Sequence, residues 1–286
     1  MKICIVCPHF PSPRLSGSID GIFRGKYVKM LRNYGHEVFV VTTKPSGTPS
    51  FENVGGVKVF RVSSYTISKI RYPVPAFFEL VNTILRVVSE YKIDVIEFNN
   101  HMFLTALPIF LVRKIVKKPI TVSVDGLNGV TYFYGNKIID LLGLLYTFTL
   151  GLPMLKRADR IRLSNASLIR HLMRFGIPRK KLNVIYNAVD VEVFHPGYDR
   201  DGKRKKLGIR PNEVAVLYVG RLDQVKGVNY LMKAGTNLIK KYGNVKLILV
   251  GDGAMYETCK EIASGFERNV IFTGVRSDVA QILNAA

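Results

Sequence analysis

Cysteine is scarce in this sequence: Cys4, Cys7 and Cys259 are the full set. Three thiols do not make a disulfide framework, which argues against a small stapled domain from an oxidising compartment. Cys4 and Cys7 form a C-x-x-C, but residues three apart on a strand point to opposite faces, so a metal or redox pair is not expected. They read as core thiols in a reducing cytoplasm. Also missing are zinc-type spacings, a Walker loop, a strict G-x-G-x-x-G and internal repeats. The opening MKICIVCPHFPS has an apolar stretch too short for a signal peptide and no small-residue cleavage site, so it reads as a first strand.

Carboxylates are scarce too. Against 42 Lys/Arg stand 21 Asp/Glu, a net charge of +21. Residues 1–186 hold 27 Lys/Arg and 10 Asp/Glu, whereas residues 187–286 hold 15 and 11. The basicity therefore belongs to the N-terminal part. Such a field attracts nucleic acid, anionic lipid headgroups or acidic substrates, and composition does not separate these.

What is present is the make-up of a folded protein: 48% hydrophobic and 22% charged residues over 286 positions, enough for two ordinary domains. Strand-like runs alternate with helical patterns: KICIVC, HEVFVVTT, VKVFRV, DVIEF, PITVSV, ADRIRLS and LNVIYNAVD, then VAVLYV, VKLILV and NVIFTGV. Alternating βαβ units predict an α/β fold with parallel sheets covered by helices on both faces. The rhythm breaks over residues 195–213, rich in charge, Gly and Pro, which read as a linker. The expected organisation is an N-terminal domain over 1–194, the linker, and a C-terminal domain over 214–286. Asp199-Arg200-Asp201, in the linker, has the D-x-D spacing of some metal-dependent sugar transferases but reads as a charged surface turn.

The stretch VLYVGRLDQVKGVNYLMKA, 216–234, carries the clearest chemistry. VLYV is a buried strand by length and residue type. Val228, Leu231, Met232 and Gly235 recur at helical spacing, so a helix starts near Gly227. Gly220 lets main chain approach a ligand closely, and the helix start offers unpaired N–H groups to a phosphate. Arg221 can grip phosphate oxygens as a fork, with Lys226 acting as a point charge. The arrangement suits an anion. Gly251, Asp252 and Gly253, in VGDG, end the next strand on the sheet edge where α/β ligands bind; the alternative is a plain turn.

Three segments together resemble glycosyltransferase family 4: NAVDVEVFHP, YVGRLDQVKG, and KLILVGDG followed by NVIFTGV. Order and spacing agree over about 177–286 and more loosely back to Met1. The resemblance implies the GT-B fold, two Rossmann-like domains of which the second is incomplete here, and a retaining transfer of sugar from a nucleotide-diphosphate donor. Arg221 and Lys226 would then face the donor diphosphate. Main chain from Gly274 through Val275 to Arg276 would lie against the nucleobase. On the acceptor side the resemblance points to Gly17 and Gly21 in PRLSGSIDGIFRGKYVKML, to His101, and to Asp125 in TVSVDGLNG. His101 follows a strand at the cleft edge, and a lone histidine there is either structural or functional. Asp125 departs from the family, which has a histidine after this strand; a carboxylate can still accept a proton or bond a sugar hydroxyl. Ala188 stands where glycine is usual. No cofactor or metal is expected, the nucleotide sugar being a co-substrate. Family members continue, soon after the final NAA, with an E-G-F-G-x-x-x-x-E-like segment, so the chain is expected to be a truncated one whose donor site is incomplete, which leaves the activity of the 286-residue chain open between active and inactive.

The run LLGLLYTFTLGLPML, Leu141–Leu155, holds 15 residues without a charge and contains Gly143, Gly151 and Pro153. It is shorter than the roughly 20 residues a spanning helix needs. Two readings stand: a buried helix of the N-terminal domain, or a helix lying on an anionic bilayer, with SKIRYPVPAFF as a second contact. The second fits a glycan or lipid-linked acceptor and a cytoplasmic protein peripheral on the inner face of the membrane. Competing functions are another GT-B nucleotide-sugar enzyme of epimerase type and a non-enzymatic basic nucleic-acid- or anion-binding protein. Nucleic acid is not the expected partner, since the charge lacks RRM, OB or helix-turn-helix context and aromatics are not interleaved with the basic runs.

Overall fold

The computed structural model describes residues 1–12, 19–67 and 72–286, which fall into two compact units. The first comprises residues Met1–Phe133 and Lys137–Asn187, the second Tyr134–Asn136 and Ala188–Ala286. In chain order the first unit begins β1 (Lys2–Cys7), α1 (Ile19–Asn33), β2 (Glu37–Thr43), β3 (Phe51–Val54), β4 (Val57–Val62), β5 (Ser64–Ile67), β6 (Tyr72–Pro75) and α2 (Phe77–Glu90). It continues with β7 (Val95–Phe98), α3 (Ile109–Ile115), β8 (Ile120–Val124), α4 (Lys137–Tyr146), α5 (Leu152–Arg157), β9 (Arg160–Leu163), α6 (Ser167–Arg174) and β10 (Leu182–Val184). The second unit holds α7 (Arg200–Lys206), β11 (Val214–Val219), α8 (Val228–Tyr242), β12 (Val245–Val250), α9 (Tyr256–Ile262), β13 (Val270–Gly274) and α10 (Val279–Ala285).

The first unit is built on an eight-stranded sheet of order β10-β9-β8-β7-β1-β2-β4-β3, parallel except where β3 runs antiparallel to β4. Its central strands are apolar on both faces because helices cover both, as the run-like sequences required. Cys4 lies in the core layer with Phe39, Phe98 and α2, and Cys7 in the opposite layer with Phe10 and Val28. The two thiols thus point apart as predicted. Burial pushes the Cys4 thiol up to about 12, with Cys7 adding to the shift.

Three elements were not foreseen. Strand β3 joins the sheet through its pairing with β4, where Glu52 meets Arg61 at 3.0 Å and Arg61 also donates to the carbonyls of Phe10 and Pro11. Strands β5 and β6 form a two-stranded hairpin. The third is a helix, α7, within 195–213, the stretch read above as a linker. Asp199 caps helix α7 by accepting from the Gly202 N–H at 2.9 Å, and Lys203 and Arg204 are buried. Arg204 bonds the carbonyls of Ala285, Arg210 and Glu213, and Lys203 pairs with Asp278. Local charge suggested solvent, but the partners come from remote parts of the same unit. Asp199 is therefore occupied as a cap.

The second unit carries a three-stranded parallel sheet, β11-β12-β13. Leu222, Val228, Met232, Leu247, Leu249 and Cys259 form one core layer, beneath α8 and α9. Ile209, Ile248, Val250 and Ile282 form the other, on the side of α7 and α10.

The apolar segment after β8 divides in two. Leu152, Met154 and Leu155 of α5 are core residues, as the buried-helix reading requires, whereas α4 buries none of its side chains.

Candidate functional site

In the second unit the three strand ends converge through main chain. Gly220 N–H donates to Val250 O at 2.9 Å, Leu222 N–H to Asp252 O at 3.0 Å, and Gly251 N–H to Gly274 O at 2.8 Å. Gly251 adopts φ +136°, and a Cβ there would sit 1.9 Å from Gly220 O. A Cβ on Gly253 would sit 2.6 Å from Leu222 O. These two glycines are therefore packing requirements: the second turn lies directly on the first. A Cβ on Gly274, at φ +67°, would meet nothing within 4 Å.

Gly227, in the left-handed region at φ +66°, ends a short 3-10 turn, Gln224–Lys226, and opens α8 with no side-chain cap. The first N–H groups of that 15-residue helix have no intrahelical acceptor, and the helix dipole places partial positive charge there. Arg221 lies at the same edge, half-exposed, with its guanidinium 3.2 Å from the Asp223 carboxylate. Asp223 also accepts from the Ala254 N–H at 3.4 Å, so the cation is steered by a residue tied to the neighbouring turn. Lys226 is exposed. Asp252 accepts from the Gly253 N–H, and Val275 is exposed. The structure thus brings together Gly220, Arg221, Lys226, Gly251, Asp252, Gly253 and Gly274. The Arg276 side chain is engaged elsewhere: it forms two 2.8 Å bonds with Asp278, whose carboxyl is held well below the usual range by Arg276 and then Lys203.

In the first unit the candidates cluster after β7 and β8. Asp125 is exposed and accepts the Asn100 side-chain amide at 2.9 Å. Asn100 in turn accepts the Met102 N–H at 3.1 Å, which locks its orientation. Sequence reasoning did not single out Asn100; the doubled asparagine beside His101 was the signal available. His101 follows β7 as expected, but its ring is not at an exposed edge. The residue is 1% exposed and Nδ1 has no partner. Burial pushes its pKa down to about 4, so the ring is neutral. Its carbonyl accepts the Tyr146 hydroxyl at 2.8 Å, a group that burial keeps protonated. The loop after Asp125 is tight: Leu127 O accepts from the N–H groups of Val130, Thr131 and Tyr132. Gly21 lies in the first turn of α1, and Gly17 falls outside the described residues. Among the described residues no group of three or more His, Cys, Asp or Glu could hold a metal ion.

An anion-suited strand end on a parallel sheet is found in many nucleotide-using enzymes, and comparison with known proteins selects among them. Residues 27–193 match the model of Glycosyltransferase Family 4, and residues 213–286 that of Glycosyl transferases group 1. The chain belongs to Glycosyltransferase Family 4.

Membership makes it a transferase, which sets aside the epimerase-type and non-enzymatic alternatives. A glycosyltransferase of Methanocaldococcus jannaschii is 28% identical over 285 residues, covering 96% of this chain and 69% of the relative. The alpha-monoglucosyldiacylglycerol synthase of Streptococcus pneumoniae is 24% identical, covering 92% of this chain and 59% of its own length. Among solved structures, sucrose-phosphate synthase from Thermosynechococcus elongatus superposes with a TM-score of 0.77 at 19% identity, over all of this chain and 73% of that one. Anabaena HepE in complex with UDP-glucose gives 0.69 at 18% identity, over all of this chain and 72% of that one. These likenesses show the GT-B fold. The family 4 chain described here thus spans between 59% and 73% of the lengths of these four proteins.

Proposed function

We propose that this family 4 protein is a retaining, metal-independent transferase. It moves a sugar from a nucleoside-diphosphate sugar to a hydroxyl of a glycan or lipid-linked acceptor at the cytoplasmic face of a membrane. The observation that carries the reading is the uncapped N-terminus of α8, opened by left-handed Gly227 and flanked by Arg221 and Lys226. As the glycosidic bond breaks, the diphosphate leaving group gains negative charge. Fixed cations and N–H groups aimed at it stabilise the transition state more than the ground state. They serve the purpose for which other transferases use a divalent ion. The exposed main chain at Gly274 and Val275 suits the nucleobase. Asp125, oriented by Asn100, would bond or deprotonate the acceptor hydroxyl. Retention is carried over from the family. The HepE complex with UDP-glucose and the alpha-monoglucosyldiacylglycerol synthase support the donor and acceptor classes by analogy.

Calorimetric titration of the chain with UDP, GDP and ADP tests the donor half. Saturable binding of one of them, weakened about tenfold or more in Arg221→Ala, is expected. Absence of binding to all three, or equal binding by Arg221→Ala and Lys226→Ala, would refute it.

A further inference from the structure

Helix α4 is turned inside out relative to an ordinary domain helix. Ile138, Leu141, Leu142 and Leu145 recur at i, i+3, i+4 and i+7, and the row continues to Phe148. Their exposures are 71%, 57%, 59%, 53% and 47%. The face packed on the protein carries Gly143, Leu144 and Tyr146. Gly143 lies against Asn128, Asp140 O against Gly129, and Thr147 donates its hydroxyl to Asn128 O at 2.8 Å.

The row ends by design of the backbone. Leu152 and Leu155 stand seven residues after Leu145 and Phe148, so an uninterrupted α-helix would place them on the same exposed face. A π-helical turn over Thr147–Gly151 rotates less per residue and so shifts the faces of the helix, and Leu152 and Leu155 enter the core. By length and composition the 21-residue stretch Lys137–Arg157 could cross a membrane. Its second half is nevertheless core, and the exposed row covers about 16 Å at 1.5 Å per residue, about half a hydrocarbon core. That is the geometry of a helix lying on a surface.

Cations border the row at both ends. Lys137 precedes Ile138 and is exposed. At the other end Phe148 meets Phe175 edge-on at 5.1 Å, beside exposed Arg174, and Lys156 Nζ lies near Gly176. Between residues 137 and 181 stand ten Lys/Arg and two Asp/Glu. A second copy of the chain would set like charge against like charge, whereas an anionic lipid surface complements both the apolar row and its border.

We infer that the outer face of α4 is the docking surface of this protein for an anionic bilayer, with Ile138, Leu141, Leu142, Leu145 and Phe148 entering the headgroup–acyl boundary. The inference rests on the surface-bound acceptor proposed above and names the element that meets the lipid. It also gives docking a chemical consequence. The inner face of α4 holds the loop that follows Asp125, and Tyr146 bonds the His101 carbonyl, so the helix on the bilayer is the support of the acceptor-side residues.

Flotation with vesicles of phosphatidylcholine, with and without 30% phosphatidylglycerol, tests the assignment. The 286-residue chain should bind the anionic vesicles, less so at high salt. The triple variant Leu141→Ser/Leu142→Ser/Leu145→Ser should lose about tenfold or more in partitioning, with unchanged circular dichroism because these side chains are already in solvent. The chain has no tryptophan, so Leu142→Trp provides a single reporter whose emission should shift to the blue with anionic vesicles. No binding at low salt, equal binding by the triple variant, or an unshifted reporter would overturn the inference. So would a wild-type dimer that the triple variant dissolves, which would make a second copy the occupant. UDP titration of the same variants separates the two proposals: lost vesicle binding with intact UDP binding touches only α4, and the reverse touches only the donor reading.

Discussion

The Asn100 side-chain amide donates to Asp125 Oδ2 across 2.9 Å, joining the ends of two neighbouring parallel strands. One carboxylate oxygen is thereby held; in the proposed reaction the other would meet the acceptor hydroxyl. Asp125→Asn should lower the turnover of sugar transfer roughly 100-fold or more, the usual range for a lost acid–base group. Asn100→Ala frees the carboxylate without removing it and should cost less in turnover, with a higher acceptor KM. Near-normal transfer by Asp125→Asn in steady-state kinetics would remove Asp125 from the mechanism.

Arg221 is held in place by Asp223 at 3.2 Å, which gives a second kinetic expectation. Arg221→Ala should reduce kcat by roughly 100-fold, comparable to loss of one transition-state hydrogen-bond donor, and should weaken donor binding as well. Arg221→Lys should recover little, because a point charge does not reproduce a planar fork. Unchanged kcat at saturating donor for Arg221→Ala would refute this role.

Gly251 has no room for a side chain: a Cβ would stand 1.9 Å from Gly220 O, on a backbone at φ +136°. Gly251→Ala should destabilise the second unit by about 2 kcal/mol or more, through clash and strain together. Differential scanning calorimetry would register this as a lower Tm for that unit. An unshifted transition would show that the turns are not packed as described.

His101 makes stability depend on pH. Its pKa is pushed down to about 4 from 6.5 by burial. Between these values the unfolded chain takes up a proton that the folded chain refuses, so stability falls as the pH falls through that window. The slope from one such group is at most about 1.4 kcal/mol per pH unit. His101→Leu removes the difference, so its urea-derived stability should fall less than wild type between pH 6.5 and 4. Parallel curves would mean that folding does not shift the His101 pKa.

The alternation of strand and helix was readable because it rests on local periodicity and on buried strands that need uniformly apolar sequence. The glycine-rich turns at 220, 251 and 253 were readable for a related reason, since the strand–Gly–cation–helix order is contiguous. What escaped was polar groups stabilised by distant partners. Glu52 and Arg61 look like surface charges, yet Arg61 is enclosed and paired across a strand junction. Lys203 and Arg204 look like linker charges, yet their partners lie near residues 278 and 285.

The sequence alone determined the fold class and, through three ordered motifs, the family, because both are written in short-range patterns of residue type. Only the tertiary structure decided which face of each element meets solvent. It buried His101, tied Arg276 to Asp278, and placed Asn100 on Asp125. It also divided one apolar run between core and surface at a π-helical turn. Each of those outcomes depends on what stands opposite a side chain in space, which spacing along the chain does not encode.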